Sequence, residues 1–128
     1  MFLRGGRFIL LLAALLAAAV PAAGCSFGTD ASEETSGKPV IIDFWRPGCQ
    51  PCEVMEPTME QLKEEYGDQV EFKAYNTQEE RSKSSQYGIE YVPTFLFINE
   101  DGVIVDRVVG QVDINVMRES IEELLSNP

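Results

Sequence analysis

Two cysteines separated by two residues, Cys49 and Cys52, constrain this chain more than any other feature. They directly follow a short apolar run at Val40-Ile41-Ile42 and directly precede a pattern typical of a helix. The pair is therefore predicted to lie on a turn between a strand and a helix. A thiol at a helix N-terminus faces unpaired backbone N–H groups and the positive end of the helix dipole, and both favour the thiolate. A second cysteine one turn later can attack a mixed disulfide made by the first, which completes a two-electron exchange.

The same cysteine pair has two alternative interpretations, a zinc site and a structural disulfide. Zinc requires four ligands, whereas the sequence has no histidine and only one other cysteine. A disulfide between such near neighbours closes a very small loop and would restrain little of the unfolded chain. Redox use of Cys49 and Cys52 is therefore favoured, with no metal and no cofactor.

The N-terminal segment has the pattern of a secretory signal peptide. Two arginines precede an apolar block over residues 8–20, which is shorter than the roughly 20 residues of a membrane-spanning helix. Ala22-Ala23-Gly24 then lead to Cys25 and resemble the lipobox of bacterial lipoproteins, in which the cysteine is acylated and becomes the first mature residue. We therefore expect residues 1–24 to be removed and Cys25 to carry a lipid anchor. The alternative is ordinary cleavage that leaves a soluble protein with a free cysteine.

The charge of the chain limits its partners. The sequence contains 21 acidic and 10 basic residues, a formal net charge of −11. Such a chain is not expected to bind nucleic acid or to attach electrostatically to anionic lipid. We expect a monomer, held at the membrane by lipid alone and facing the periplasm or the cell exterior.

Residues 25–38 are predicted to be a polar tether, and residues 39–128 a single α/β domain. Hydrophobic periodicity predicts the element order β-α-β-α-β-β-α, with a four-stranded mixed sheet and helices on both faces. Thr77 has the spacing of a capping box and predicts the start of the second helix, while Asp113 is predicted to cap the last. The strands are predicted at residues 40–45, 70–75, 94–98 and 103–109, the last two joined by a hairpin turn over residues 99–102.

Six sequence features, in this order and spacing, together resemble the thioredoxin family. The resemblance covers about residues 39–126 and implies a thioredoxin-like fold, here trimmed to four strands, and a thiol–disulfide oxidoreductase. The features are Asp-Phe-Trp at 43–45, Cys-x-Pro-Cys at 49–52, Pro57, Tyr-Gly-Ile at 87–89, Val-Pro-Thr at 92–94 and Gly110.

The resemblance also implies the chemical roles of the central residues. Cys49 would be the exposed attacking thiolate and Cys52 the buried resolving thiol. Asp43 would be the buried carboxylate that exchanges a proton with Cys52, and burial in an apolar strand raises the pKa of such a group. Gln50 and Pro51, between the cysteines, would tune the redox potential.

Protein disulfides and dithiols are the implied substrates, bound by the residues around the cysteine pair. Pro93 matches the cis-proline that faces the dithiol, which leaves the backbone of Val92 free to pair with an extended substrate segment. Trp45 matches the tryptophan packed under the active-site loop. Gly110 matches the glycine that lets a substrate backbone approach.

Some positions depart from the family pattern. Gly48 replaces a second tryptophan, Gln50 replaces a glycine, and Glu53 stands where a lysine is common. Ala74, and not Lys73, occupies the position of the lysine that partners the buried aspartate. Because successive strand residues face opposite ways, Lys73 is expected to point away from Asp43.

The sequence thus favours a tethered reductase of protein disulfides that receives electrons from a thiol donor in the membrane. Two alternatives stay open, a disulfide-donating oxidant and a noncatalytic binding module with the same fold.

Overall fold

The structure, a computed structural model, describes residue 35 and residues 37–127 of the chain. The predicted signal peptide, Cys25 and most of the tether lie outside the described residues. Within residues 37–127, no helix is both long enough and apolar enough to cross a bilayer. The predicted element order is confirmed: β1 (Val40–Trp45), α1 (Gln50–Tyr66), β2 (Glu71–Asn76), α2 (Arg81–Gln86), β3 (Thr94–Ile98), β4 (Ile104–Val109) and α3 (Ile114–Ser126).

The four strands form one mixed sheet in the order β2-β1-β3-β4. β1 pairs parallel with β2 and antiparallel with β3, and β3 pairs antiparallel with β4. The apolar run that begins β1 is explained by its central position, since Ile41 packs into the core on one face while Val40 and Ile42 pack on the other.

Two helices cover one face of the sheet, as predicted, and α2 leads into the segment that covers the other. One face packs against α1, through Met55 and Leu62, and against α3, through Met117, Ile121 and Leu124. α2 buries no residue of its own. The other face is instead covered by Tyr87, which follows α2 and is only 2% exposed, and whose ring centroid lies 5.8 Å from that of Phe44.

α1 is the helix that presents the cysteine pair, and it is fixed at both ends. It begins after Cys49 and contains Pro57, and its C-terminal cap is Gly67, whose N–H donates to the Lys63 carbonyl at 2.9 Å. The guanidinium of Arg118 on α3 donates to both carboxylate oxygens of Glu65, at 2.7 and 3.0 Å. This bridge ties the C-terminal half of α1 to α3.

The predicted start of α2 at a Thr77 capping box is wrong. The Asn76 side chain accepts a hydrogen bond from the Gln78 N–H at 3.0 Å, and the helix begins only at Arg81, without a side-chain cap from Glu80. The asparagine provides a local turn that competes with the helix and delays it. Two strands also begin one residue later than predicted, at Glu71 and Ile104.

The predicted hairpin turn over residues 99–102 and the predicted Asp113 cap of α3 are both confirmed. Gly102 in the hairpin turn has φ +79° and donates to the Asn99 carbonyl at 3.0 Å. Asp113 caps α3 by accepting a hydrogen bond from the Asn115 N–H at 2.8 Å. The hairpin sets β4 beside β3, and the cap directs α3 back across the sheet.

Candidate active site

Cys49 and Cys52 form a disulfide at the start of α1, with their Cα atoms 5.3 Å apart. Cys49 is the N-cap residue, and its Sγ accepts a hydrogen bond from the Cys52 N–H at 3.3 Å. The first N–H groups of a helix have no intrahelical partner, so a sulfur at this position receives their positive partial charge. The fold therefore stabilises a thiolate on Cys49 once the disulfide is opened.

The exposure of the two cysteines is the reverse of what the resemblance implied. Cys49 is only 6% exposed, whereas Cys52 is half-buried. The Val92 carbonyl oxygen lies 3.8 Å from the Cys49 sulfur, and this loop covers that side of the disulfide. Cys52 instead lines a cleft whose walls include Gly48 and Ala74, two positions without a side chain large enough to close it. The predicted exposed Cys49 and buried Cys52 are therefore wrong for the disulfide form.

Asp43 lies on β1 and lines the same cleft as Cys52. Burial, and to a smaller extent the negative charge of Glu56, raise the pKa of its carboxyl from 3.8 to about 6. Its Oδ1 atom is buried without a hydrogen-bond partner among the residues that the structure describes. A carboxyl group with a pKa near neutrality can both accept and return a proton, as the predicted role of Asp43 requires.

The strand register explains why no lysine neutralises Asp43. Asp43 is paired with Ala74 across β1 and β2, while Lys73 is paired with Ile42 and so belongs to the opposite face. The Lys73 ammonium lies 3.8 Å from a Glu71 carboxylate oxygen. As expected from the sequence, Lys73 does not act on the carboxyl group of Asp43.

A loop with a cis peptide bond between Val92 and Pro93 lies against the disulfide. The Pro93 carbonyl accepts a hydrogen bond from the Gly110 N–H at 2.8 Å, which joins this loop to the end of β4. Gly110 has φ +86°, and a Cβ atom there would meet open space. The structure thus links the loop beside Cys49 to Gly110 through main-chain groups, and the space next to Gly110 is open.

The cleft beside Cys52 has a volume of about 390 Å³. It lies between the first turns of α1 and the edge strand β2. Trp45 is half-buried, lines the cleft and directly precedes the loop at residues 46–48. Gln50 and Pro51 are exposed in the first turn of α1, outside this cleft. The residues that line it include Asp43, Trp45, Cys52, Met59, Phe72 and Ala74.

Sequence reasoning missed two residues at this site. Tyr91, immediately before Val92, is 70% exposed and borders a second depression of about 200 Å³ together with Arg46 and Glu90. In the sequence, Tyr91 could have been singled out because it is a large aromatic residue in a polar loop. Glu56 acts on Asp43, and its position four residues after Cys52 places it one helical turn along the same face.

A disulfide at the N-cap of a helix, a carboxyl group with a raised pKa in the same cleft, and a loop over one sulfur define a thiol–disulfide oxidoreductase on an α/β scaffold. Comparison with known proteins is consistent with this class. The family model for thioredoxin matches residues 23–123. The chain belongs to the thioredoxin family.

Individual relatives give the same result. Thioredoxin 1 of Synechococcus elongatus is 41% identical over 90 residues, which cover 70% of this chain and 83% of that protein. The thioredoxin of a Synechocystis species is 38% identical over 87 residues, which cover 68% and 80%. The X-ray structure of Fasciola hepatica thioredoxin is similar with a TM-score of 0.64 at 32% identity, covering 72% of this chain and 86% of that chain.

Proposed function

We propose that this protein is an exported, membrane-tethered thiol–disulfide oxidoreductase that reduces protein disulfides. The observation that carries the chemistry is the N-cap position of Cys49, whose sulfur receives the Cys52 N–H at 3.3 Å. This position favours a thiolate at neutral pH, and the thiolate is the attacking form of a cysteine.

Reduction proceeds in two exchanges. The Cys49 thiolate attacks one sulfur of the substrate disulfide, and the other substrate sulfur leaves and takes a proton. Cys52, after Asp43 has accepted its proton, attacks the Cys49 sulfur and expels the second substrate thiol. The protein is left with the Cys49–Cys52 disulfide, and a thiol donor in the membrane reduces it again.

The substrate segment binds in an extended conformation across the loop that holds the cis peptide bond. Its backbone pairs with Val92 beside Pro93 and passes Gly110, where open space is available. Gly48 places no side chain on the surface before Cys49, and the exposed ring of Tyr91 directly precedes Val92 in the chain.

The insulin-reduction assay tests the catalytic part of this proposal. The full chain in detergent, with dithiothreitol as electron source, is expected to accelerate insulin precipitation, and Cys49→Ser is expected to lose that activity. Cys25→Ala is the matched cysteine replacement and keeps it. Equal activity of Cys49→Ser and wild type would contradict the proposal.

The location is tested separately. The sequence at 22–25 supports acylation of Cys25, and residues 26–38 provide a polar spacer between the lipid and the domain. Cys25→Ala is expected to release the protein from the membrane fraction of the bacterium that produces it, and to abolish incorporation of labelled fatty acid. Unchanged membrane retention would show that something other than a lipid on Cys25 holds the chain.

One observation favours a second candidate, an oxidant that donates its disulfide. Stabilising the Cys49 thiolate stabilises the reduced protein, which makes the disulfide more oxidising. The equilibrium redox potential of the Cys49–Cys52 pair distinguishes a reductase from an oxidant. A value near that of thioredoxin, about −270 mV, supports the reductase, and a value near about −120 mV supports the oxidant.

A further inference from the structure

The two sulfurs of the disulfide have different surroundings. Cys49 is 6% exposed and lies against the Val92 carbonyl, and it is not among the residues that line the cleft. Cys52 is half-buried and lines the cleft of about 390 Å³ together with Asp43. A small molecule in the cleft therefore reaches Cys52 without passing the protein-binding loop.

The leaving group also favours attack at Cys52. In thiol–disulfide exchange the reaction is faster when the departing sulfur is the more acidic thiol. Attack on Cys52 expels Cys49, and Cys49 is the sulfur held at the helix N-cap. Where a resolving cysteine is fully buried, access would forbid this route, but here the cleft supplies the access.

We propose that a low-molecular-weight thiol without a negatively charged group enters the cleft and opens the disulfide by attacking Cys52. Its thiolate forms a new S–S bond with the Cys52 sulfur while the Cys49–Cys52 bond breaks and its electron pair passes to Cys49. A second thiolate attacks the sulfur of the first thiol, forming a small-molecule disulfide and releasing Cys52 as a thiolate, which takes up a proton. Two small thiols are oxidised to one disulfide, and the protein disulfide becomes a dithiol.

The shape and charge of the cleft define the class of thiol. Its volume suits a small molecule rather than a folded protein. Its lining carries four carboxyl groups, those of Asp43, Glu53, Glu56 and Glu60, and three basic groups, those of Arg46, Lys63 and Lys73. Along α1, Glu53 and Glu56 lie within about one turn of Cys52, whereas Lys63 is about three turns away. Because the acidic groups outnumber the basic ones, a neutral or cationic thiol is preferred.

The inference rests on the proposed redox function but uses the opposite sulfur from the one that attacks protein substrates. The chain then has two routes to one disulfide, a backbone-lined surface at Cys49 for proteins and a cleft at Cys52 for small thiols. Protein reduction can fail or succeed independently of the second route.

Closing the cleft is the direct test. The full chain carrying Cys25→Ser is oxidised and then reduced with cysteamine, while the fluorescence of Trp45, the single tryptophan, reports opening of the disulfide. Ala74→Leu adds an apolar side chain at an exposed position in the cleft wall and is expected to slow reduction by about tenfold or more. Ala74→Ser, which adds little volume, is the matched control and keeps the wild-type rate.

A second measurement isolates Cys52. In the full chain with Cys25→Ser and Cys49→Ser, the reduced Cys52 is mixed with cystamine or with the disulfide of 2-mercaptoethanesulfonate, and mass spectrometry follows the adduct. Each rate is divided by the rate for the same chain unfolded in denaturant. The cationic disulfide is expected to give the larger ratio, and Ala74→Leu to lower both ratios. Rates unaffected by Ala74→Leu, or a larger ratio for the anionic disulfide, would overturn the proposal, while insulin reduction by Cys49 would still stand.

Discussion

Asp43 on β1 lies opposite Ala74 on the neighbouring parallel strand β2. The alanine methyl group offers the carboxyl neither a charge nor a hydrogen bond, and burial with the nearby Glu56 raises the pKa of Asp43 from 3.8 to about 6. Asp43 is thus a carboxyl group that the fold destabilises whenever it is ionised.

Asp43→Asn is expected to stabilise the protein at neutral pH. A folded-state pKa above the unfolded value means that the folded chain holds the proton more tightly, so the Asp43 contribution to stability falls as pH rises from about 4 to 6. Complete ionisation costs up to about 3 kcal/mol, and we expect a gain of about 1–3 kcal/mol at pH 7.5. Guanidinium unfolding of wild type and Asp43→Asn at pH 7.5 and pH 4 measures this gain in stability.

Most of the gain from Asp43→Asn should disappear at pH 4, because the carboxyl of the folded wild-type protein is then protonated. Asp101→Asn, in the exposed hairpin turn, is the control and should change stability little at either pH. An equal gain from Asp43→Asn at both pH values would argue against a charge effect.

Glu56→Gln is expected to lower the pKa of Asp43 without restoring it to 3.8, because burial is the larger cause of the shift. Glu60→Gln removes the same charge one helical turn further along α1 and is the matched control. Carboxyl NMR titration of Asp43 in the two variants gives the comparison. The interpretation fails if Glu60→Gln lowers the pKa of Asp43 as much as Glu56→Gln does.

The bridge between α1 and α3 should make stability depend on acid pH. Hydrogen bonds from Arg118, the larger cause, and from Gln61 hold the pKa of Glu65 at about 2, below its usual 4.5, so the stabilisation is present above about pH 4.5 and is lost as pH falls towards 2. Arg118→Gln is expected to lower the melting temperature slightly at pH 7 and progressively less below pH 4.5. Because the pair is solvent-accessible, added salt should weaken the effect.

A double-mutant cycle is the control for this bridge. Once Arg118→Gln has broken it, Glu65→Gln should have little further effect on the melting temperature. Fully additive losses would show that the two side chains stabilise the protein independently.

Asp113→Ala should remove the cap of α3 and lower the free energy of unfolding by about 1 kcal/mol. Asp113→Asn retains an oxygen that can accept the Asn115 N–H, so it should keep most of the stability. Urea unfolding at pH 7 compares the two variants. If Asp113→Asn lowers the free energy of unfolding as much as Asp113→Ala does, the hydrogen bond to Asn115 is not the source of the stabilisation by Asp113.

Features set by neighbouring residues in the chain were predictable from the sequence. The buried run in β1, the cysteine cap of α1, the hairpin turn at residues 99–102 and the Asp113 cap all depend on local backbone preferences and periodicity. The start of α2 was mispredicted for the same kind of reason, because Asn76 forms a local turn that competes with the Thr77 signal.

Solvent access to each cysteine could not be predicted, because it depends on residues far along the chain. Val92, which covers Cys49, is 43 residues away, and Ala74, which leaves the cleft at Cys52 open, lies on another strand. The family resemblance implied an exposed Cys49 and a buried Cys52. In this chain the small residues Gly48 and Ala74 in the wall of the cleft change that arrangement. The raised pKa of Asp43 was predicted from burial, whereas the contribution of Glu56 required the structure.

The hydrogen bond from the Gly110 N–H to the Pro93 carbonyl joins the loop that lies against the disulfide to the end of β4, so main-chain groups from both form one surface. Peptide groups are a feature that every polypeptide shares. Under the proposed function, such a surface would discriminate little among side chains, so substrates would be selected by which of their disulfides lie in flexible, accessible segments.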